Sequence, residues 1–98
     1  MKVNISDQVR NFVLCLAPEP RKRLREALRM LESEKGDIKA LENDLSGYFR
    51  LRVRAYRVIF AYRAMEDSGV AEIECVFCER RSIVYEAFAA LSARLQGL

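Results

Sequence analysis

From Phe49 to Arg54 the chain alternates apolar and cationic residues, Phe49-Arg50-Leu51-Arg52-Val53-Arg54, and Tyr48 continues the outer set by one position. A period of two is the repeat of an extended strand, because successive side chains leave on opposite faces. Phe49, Leu51 and Val53 then enter a core, while Tyr48, Arg50, Arg52 and Arg54 line the other face. A slip of one residue would turn the guanidinium groups inward, so the pattern fixes the register. Phe60 and Phe77 are expected to join the same core. Arginines in a row repel one another. Such a row is either a well-solvated strand or a surface shared with an anion or an acidic partner.

Charge is concentrated there. The whole chain is only +3, with 17 basic and 14 acidic residues, and setting aside the five arginines between 48 and 63 leaves 12 basic against 14 acidic. Thirteen of the basic residues are arginine, a bias that suits bidentate contact with phosphate or carboxylate. At 98 residues and 51% hydrophobic the chain is expected to form one domain over 1–98. No stretch approaches the roughly 20 apolar residues of a membrane span, and Met1-Lys2-Val3-Asn4-Ile5 lacks a signal-peptide core, so a cytoplasmic protein with no membrane partner is expected.

The cysteines, Cys15, Cys75 and Cys78, are odd in number and do not make a secreted disulfide framework. On a regular strand Cys75 and Cys78 lie about 10 Å apart with thiols on opposite faces, which excludes a bridge. The chain has no histidine, so four-ligand zinc binding is unsupported and no metal or cofactor is expected.

Periodicity and punctuation give the element order. Residues 2–5 read as a strand, after which Ser6 or Asp7 caps a helix with Val9, Phe12, Val13 and Leu16 inward. Pro20 opens a second helix to about Glu34, with Leu24, Ala27, Leu28 and Leu31 inward and Gly36 as its C-terminal cap. Its Arg21-Lys22-Arg23-Leu24-Arg25 run is either a solvated face or a nucleic-acid contact. Ile38, Leu41, Leu45 and Gly47 fall in a loop. The arginine strand follows, turns near Arg54 and Ala55, and returns as Tyr56 to Ala64. A turn at Met65-Glu66-Asp67-Ser68-Gly69 leads to a strand from Val70 to Cys78, with Ile73, Cys75 and Phe77 on one face. Ser82 then caps a last helix that packs through Val84, Ala87, Phe88, Leu91 and Leu95. The class is α+β, an N-terminal strand and helical hairpin packed on an antiparallel sheet with a C-terminal helix, in the order β-α-α-β-β-β-α.

Leu45-Ser46-Gly47-Tyr48-Phe49-Arg50-Leu51-Arg52, followed by Tyr56-Arg57-Val58-Ile59-Phe60, resembles the Leu-x-Gly-x-x-Arg-Leu-Arg and Tyr-Arg-Val-Ile-Tyr signature of the RelE/ParE superfamily of bacterial toxins. Glu79-Arg80-Arg81-Ser82-Ile83-Val84-Tyr85 is similar to the superfamily's terminal segment, where an arginine precedes a tyrosine by four residues. The resemblance implies a type II toxin neutralised by a cognate antitoxin that wraps its sheet and helix surfaces, with DNA met only through the antitoxin complex. RelE-like members cut messenger RNA in the ribosomal A site; ParE-like members inhibit DNA gyrase.

Cleavage through the ribose 2′-OH needs that hydroxyl activated, the phosphorane's charge stabilised and the departing 5′ oxygen helped. By position, the resemblance assigns the second-strand basic pair to Arg50 and Arg52, the third-strand arginine to Arg57 and the terminal pair to Arg81 and Tyr85. Arg57 and Arg81 would stabilise transition-state charge, Arg52 would assist, and Tyr85 would stack on a base or orient the ribose. Arg50, Arg54 and Arg80 would hold RNA. Arginine is a poor base, which leaves Tyr85 or Glu79 to accept the proton; Glu79 serves equally well as an ion-pair partner of Arg80. Where many relatives have Gly-His or Gly-Lys, this chain has Cys78-Glu79. Retention of Arg57, Arg81 and Tyr85 together favours the RelE-like branch, with gyrase inhibition and a catalytically degenerate antitoxin-binding homologue as alternatives.

Overall fold

The computed structural model describes residues 1–67 and 69–96. Its elements are β1 (Val3–Ile5), α1 (Asp7–Leu14), α2 (Pro18–Met30), β2 (Asp37–Ala40), β3 (Phe49–Val53), β4 (Tyr56–Ala64), β5 (Ala71–Arg80) and α3 (Val84–Gln96), with single 3-10 turns at Leu31–Ser33 and Asn43–Leu45. They confirm the α+β class and add a strand where a loop is expected. The order becomes β-α-α-β-β-β-β-α, and the five-stranded sheet runs β1-β5-β4-β3-β2. The sheet is mixed rather than antiparallel. β2, β3, β4 and β5 pair antiparallel in succession, but β1 lies parallel to β5. No hairpin joins those two, so nothing forces them to run in opposite directions.

The helical hairpin follows its capping chemistry with small displacements. Ser6 is the N-cap of α1, its hydroxyl accepting the Val9 N–H at 3.2 Å. α2 opens at Pro18 rather than Pro20, since a proline at the first helical position gives up no internal hydrogen bond. At its far end the helix tightens through Leu31–Ser33 and stops at Glu34, which takes the left-handed conformation (φ 53°) expected of Gly36. Gly36 serves another purpose. At φ +133° it passes so close to the core that a Cβ would sit 2.7 Å from Leu51 Cδ1.

β5 departs from regular alternation. Ile59 pairs with Phe77 but Phe60 pairs with Cys75, so Val76 is an extra residue, a β-bulge. The bulge is held from the N-terminal segment. Ser6 donates its N–H to the Cys75 carbonyl (3.0 Å) and its hydroxyl to the Val76 carbonyl (3.1 Å). The Gln8 amide then continues the ladder past the end of β1, donating to the Cys78 carbonyl and accepting the Cys78 N–H, both at 2.8 Å.

The bulge corrects two expectations. Phe77 is buried, but on the face opposite Ile73 and Cys75. Cys75 and Cys78 share one face rather than opposing each other, both as free thiols in the core beneath the hairpin. That core joins Val9, Val13, Leu24 and Leu31 to Leu51, Val58 and Phe60, with Phe49 and Val53 partly buried at its margin. A smaller core on the other face joins Ile59 and Phe77 to Val84 and Phe88 of α3. Leu91 and Leu95 do not pack as expected; they are 36% and 65% exposed. Nor does Ser82 cap α3, because the Ala87 N–H closes the first turn on the Ile83 carbonyl (2.9 Å) and leaves Ser82 one position early. In the β4–β5 connection the Gly69 N–H donates to the Met65 carbonyl at 3.0 Å, and Ser68 of that turn lies outside the described residues.

Two outcomes follow from this packing. Gly36→Ala must push a methyl into Leu51 at an unfavourable φ, so it should cost about 2 kcal/mol or more, read as a lower urea midpoint; an unchanged midpoint would refute the close approach. Burial first, and the neighbouring Glu74 and Glu79 charges second, push the Cys75 and Cys78 thiols up to about 12. The unfolded chain releases these protons near pH 8.5, so stability should fall as pH rises from there towards 12. In a thiol-reagent titration at pH 8 the exposed Cys15 should react alone until the protein unfolds. Rapid reaction of all three thiols in the native state would contradict this burial.

Candidate functional site

The face of the sheet that carries α3 also carries the cations. β3 delivers Arg50 and Arg52 to it by alternation, and the β3–β4 pairing sets Arg50 opposite Ile59 and Arg52 opposite Arg57. One strand further on, Arg57 stands opposite Glu79. Arg52, Arg57 and Glu79 therefore form a row across three strands, beside the apolar patch that seats α3.

These side chains differ in freedom. Arg57 is 7% exposed, and its Nη1 donates to the carbonyls of Arg54 (2.7 Å) and Tyr56 (2.8 Å). The guanidinium is thus locked against the β3–β4 turn, a fixed positive charge in the floor. Arg50 is also pinned, donating to the Asp37 carbonyl at 3.0 Å and pairing with the Asp37 carboxylate at 3.1 Å. Asp37 on β2 is the acidic neighbour that lets the arginine strand tolerate its like charges. Arg52 is exposed and, among the described residues, makes no side-chain hydrogen bond or ion pair. Glu79 is half-buried and accepts the Arg80 backbone N–H at 2.9 Å, so its partnership with Arg80 runs through the main chain and leaves the guanidinium out.

The terminal segment is tied to the same end of the sheet. The Arg81 N–H donates to the Ala55 carbonyl at 2.8 Å, which holds this exposed arginine beside the turn that anchors Arg57. Tyr85 packs on the smaller core and lines a cleft of about 340 Å³ with Arg50, Lys39, Ala40, Leu41 and Glu42. Among the described residues no hydrogen bond or ion pair joins Tyr85 to Arg57 or Arg81. Lys39, opposite Arg50 on β2, was not anticipated as part of this surface. The alternation in Asp37-Ile38-Lys39-Ala40 is its only sequence signal, and four residues with one large apolar side chain do not distinguish an edge strand from a loop.

Two expected RNA contacts fall elsewhere. Arg54 sits in the two-residue turn between Val53 and Tyr56 at φ 54°, off the alternating face, and lines a cleft with Glu19, Pro20 and Arg23 of α2. Arg80 stands opposite Tyr56, which packs on the hairpin-side core, because the bulge gives the cationic face to Glu79 instead.

No family model matches the sequence, and no curated protein matches it. Solved structures do. The chain is similar to a YoeB/ParE toxin from Agrobacterium tumefaciens at TM-score 0.65 and 15% identity, over 83% of this chain and 99% of that one. A RelBE toxin-antitoxin complex from Mycobacterium tuberculosis matches at TM-score 0.63 and 18% identity, covering 82% and 96% of the two chains. A RelB-RelE antitoxin-toxin complex from Methanococcus jannaschii gives 0.58 and 17%, covering 87% and 98%. The fold is that of the RelE/ParE toxins.

The contrast between fixed and free arginines is measurable. Arg57→Ala strands two turn carbonyls and should lower the unfolding free energy by about 2 to 3 kcal/mol, whereas Arg52→Ala should stay within about 0.5 kcal/mol of wild type. Equal losses in urea denaturation would mean that Arg57 is not the anchored member.

Proposed function

We propose that the protein is the toxin of a type II toxin-antitoxin pair and cuts messenger RNA on the ribosome. The observation that carries this is the row Arg52–Arg57–Glu79, a carboxylate beside two guanidinium groups on one sheet face. The chemistry needs both. The Glu79 carboxylate takes the proton of a ribose 2′-OH, the 2′ oxygen attacks the adjacent phosphorus, and the bond to the 5′ oxygen breaks as that oxygen takes a proton from water, leaving a 2′,3′-cyclic phosphate and a 5′-hydroxyl. Arg57, already held by the turn, needs no reorganisation to meet the charge that develops on the phosphorane, while Arg52 and Arg81 close on the same phosphate from the open side. Tyr85, with Arg50 beneath it, supports the neighbouring nucleotide by stacking. The partners on this reading are the ribosome with its messenger RNA and a cognate antitoxin that covers the cationic face in the resting complex.

Gyrase inhibition is the second reading, favoured by the chain's lack of histidine. Purified ribosomes programmed with a defined message separate the two. Wild-type protein should cut the message, and Glu79→Gln and Arg81→Ala should each lower the single-turnover rate by roughly a hundredfold or more, with ribosome binding changed far less. Full cleavage by either variant removes that residue from the mechanism. Wild-type protein that leaves the message intact and blocks gyrase supercoiling transfers the assignment to the second reading.

A further inference from the structure

Lys39 and Glu42 line the cleft beside Tyr85, and the cleavage chemistry uses neither. Lys39 stands opposite Arg50, so β2 turns it to the face that carries α3. Glu42 is fixed through its backbone: the Leu41 N–H donates to the Tyr48 carbonyl at 2.9 Å, and the Glu42 carbonyl accepts the Leu45 N–H at 3.1 Å. Leu41 and Tyr85 both pack on the smaller core, which ties the walls of the cleft to one frame. Lys39 and Glu42 are exposed, and among the described residues neither side chain makes a hydrogen bond or an ion pair, with the other or with a third group. Arg50, the remaining cation of the cleft, is already taken by Asp37 at 3.1 Å. A carboxylate, an ammonium group and a phenol ring therefore border one cavity of about 340 Å³ without neutralising one another.

We propose that this cleft selects guanine at the nucleotide stacked on Tyr85. Stacking itself does not choose, because every base has a π face. The edge of the base does, and in a single strand that edge is free to be read. Guanine sets two N–H donors side by side, N1–H and the N2 amino group, next to the O6 acceptor. Glu42 accepts both donors as a bidentate carboxylate, and the Lys39 ammonium donates to O6. No other base has this order. Adenine and cytosine each set one amino group beside a ring-nitrogen acceptor that repels a carboxylate, and uracil has a single N–H between two carbonyls. The inference rests on the messenger-RNA reading of the site and adds the base that the site favours.

The test uses the full chain and a short fluorescent 2′-O-methyl oligouridine with one central guanosine, which cannot be cut, read by anisotropy. The same strand with adenosine, cytidine, uridine or inosine at the centre gives the comparison. Guanosine should bind tighter than adenosine, cytidine and uridine by roughly tenfold or more, the discrimination of one good bidentate pair, and inosine, which lacks the N2 amino group, should fall between. Glu42→Ala should erase the preference, and Lys39→Ala should weaken the guanosine strand more than the uridine strand. Both positions are exposed, so the circular dichroism of the variants should match wild type. Equal affinity for the four bases, no binding at all, or a preference that survives Glu42→Ala overturns the proposal. So does a Lys39→Ala loss shared equally by every strand, since that makes Lys39 a phosphate contact. Programmed ribosomes keep the two proposals apart. A message cut equally at every base sinks guanine selection and leaves cleavage standing, whereas a guanosine preference in binding with the message left intact sinks cleavage and leaves the selection standing.

Discussion

The extra residue at Val76 decides what the two faces of the sheet carry. Continued in the Phe60–Cys75 register, β5 would set Cys78 opposite Arg57 and Glu79 opposite Tyr56, towards the hairpin, and Arg57 would have no carboxylate across the ladder. A bulge needs partners for the backbone groups it displaces, and here the N-terminal segment provides them. Ser6 caps α1, bonds the Cys75 carbonyl through its N–H and bonds the Val76 carbonyl through its hydroxyl; Gln8 completes the pairing at Cys78. The start of the chain, distant in sequence from every candidate site residue, thus fixes the register on which their arrangement rests.

The cationic face is not a uniform field of free guanidinium groups. Arg50 is satisfied by Asp37, and Arg57 spends two bonds of its fork on the turn that precedes it, so both are structural as well as electrostatic. What remains open to a ligand is Arg52, Arg81 and the cleft under Tyr85, on a floor whose charge is already oriented. That division suits a site where preorganised charge acts on a transition state, because side chains held in place need not reorganise when charge develops. An ordinary solvated strand has no reason to bury an arginine. Its cost is offset here by the two carbonyl contacts.

Much of the fold was legible because the relevant signals are local. The period-two run from Phe49 and the proline and serine punctuation of the hairpin identified β3, α1 and α2 closely. β2 escaped because four residues with a single large apolar position carry too little periodicity, and Lys39 was lost with it. The bulge escaped for a different reason: Cys75-Val76-Phe77-Cys78 is apolar throughout, so alternation gives no sign of where it breaks, and the facings of Phe77, Cys78, Glu79 and Arg80 could not be read beyond it. Leu91 and Leu95 show the converse. Their spacing is helical, but spacing alone does not tell how far along the helix the packing continues, and both stay exposed.

The central claim is that an RNA backbone lies across the row Arg52–Arg57–Glu79, and it can be observed directly. A short 2′-O-methyl messenger-RNA fragment, which cannot be cut, is titrated into isotope-labelled protein while the side-chain resonances of arginine and glutamate are followed by NMR. The account predicts that Arg52 and Arg81 Nε–H and the Glu79 carboxyl carbon shift together with one binding constant, with Arg57 responding in the same titration. Shifts confined to α2, or a saturable complex that leaves Arg52 and Glu79 unmoved, would contradict it.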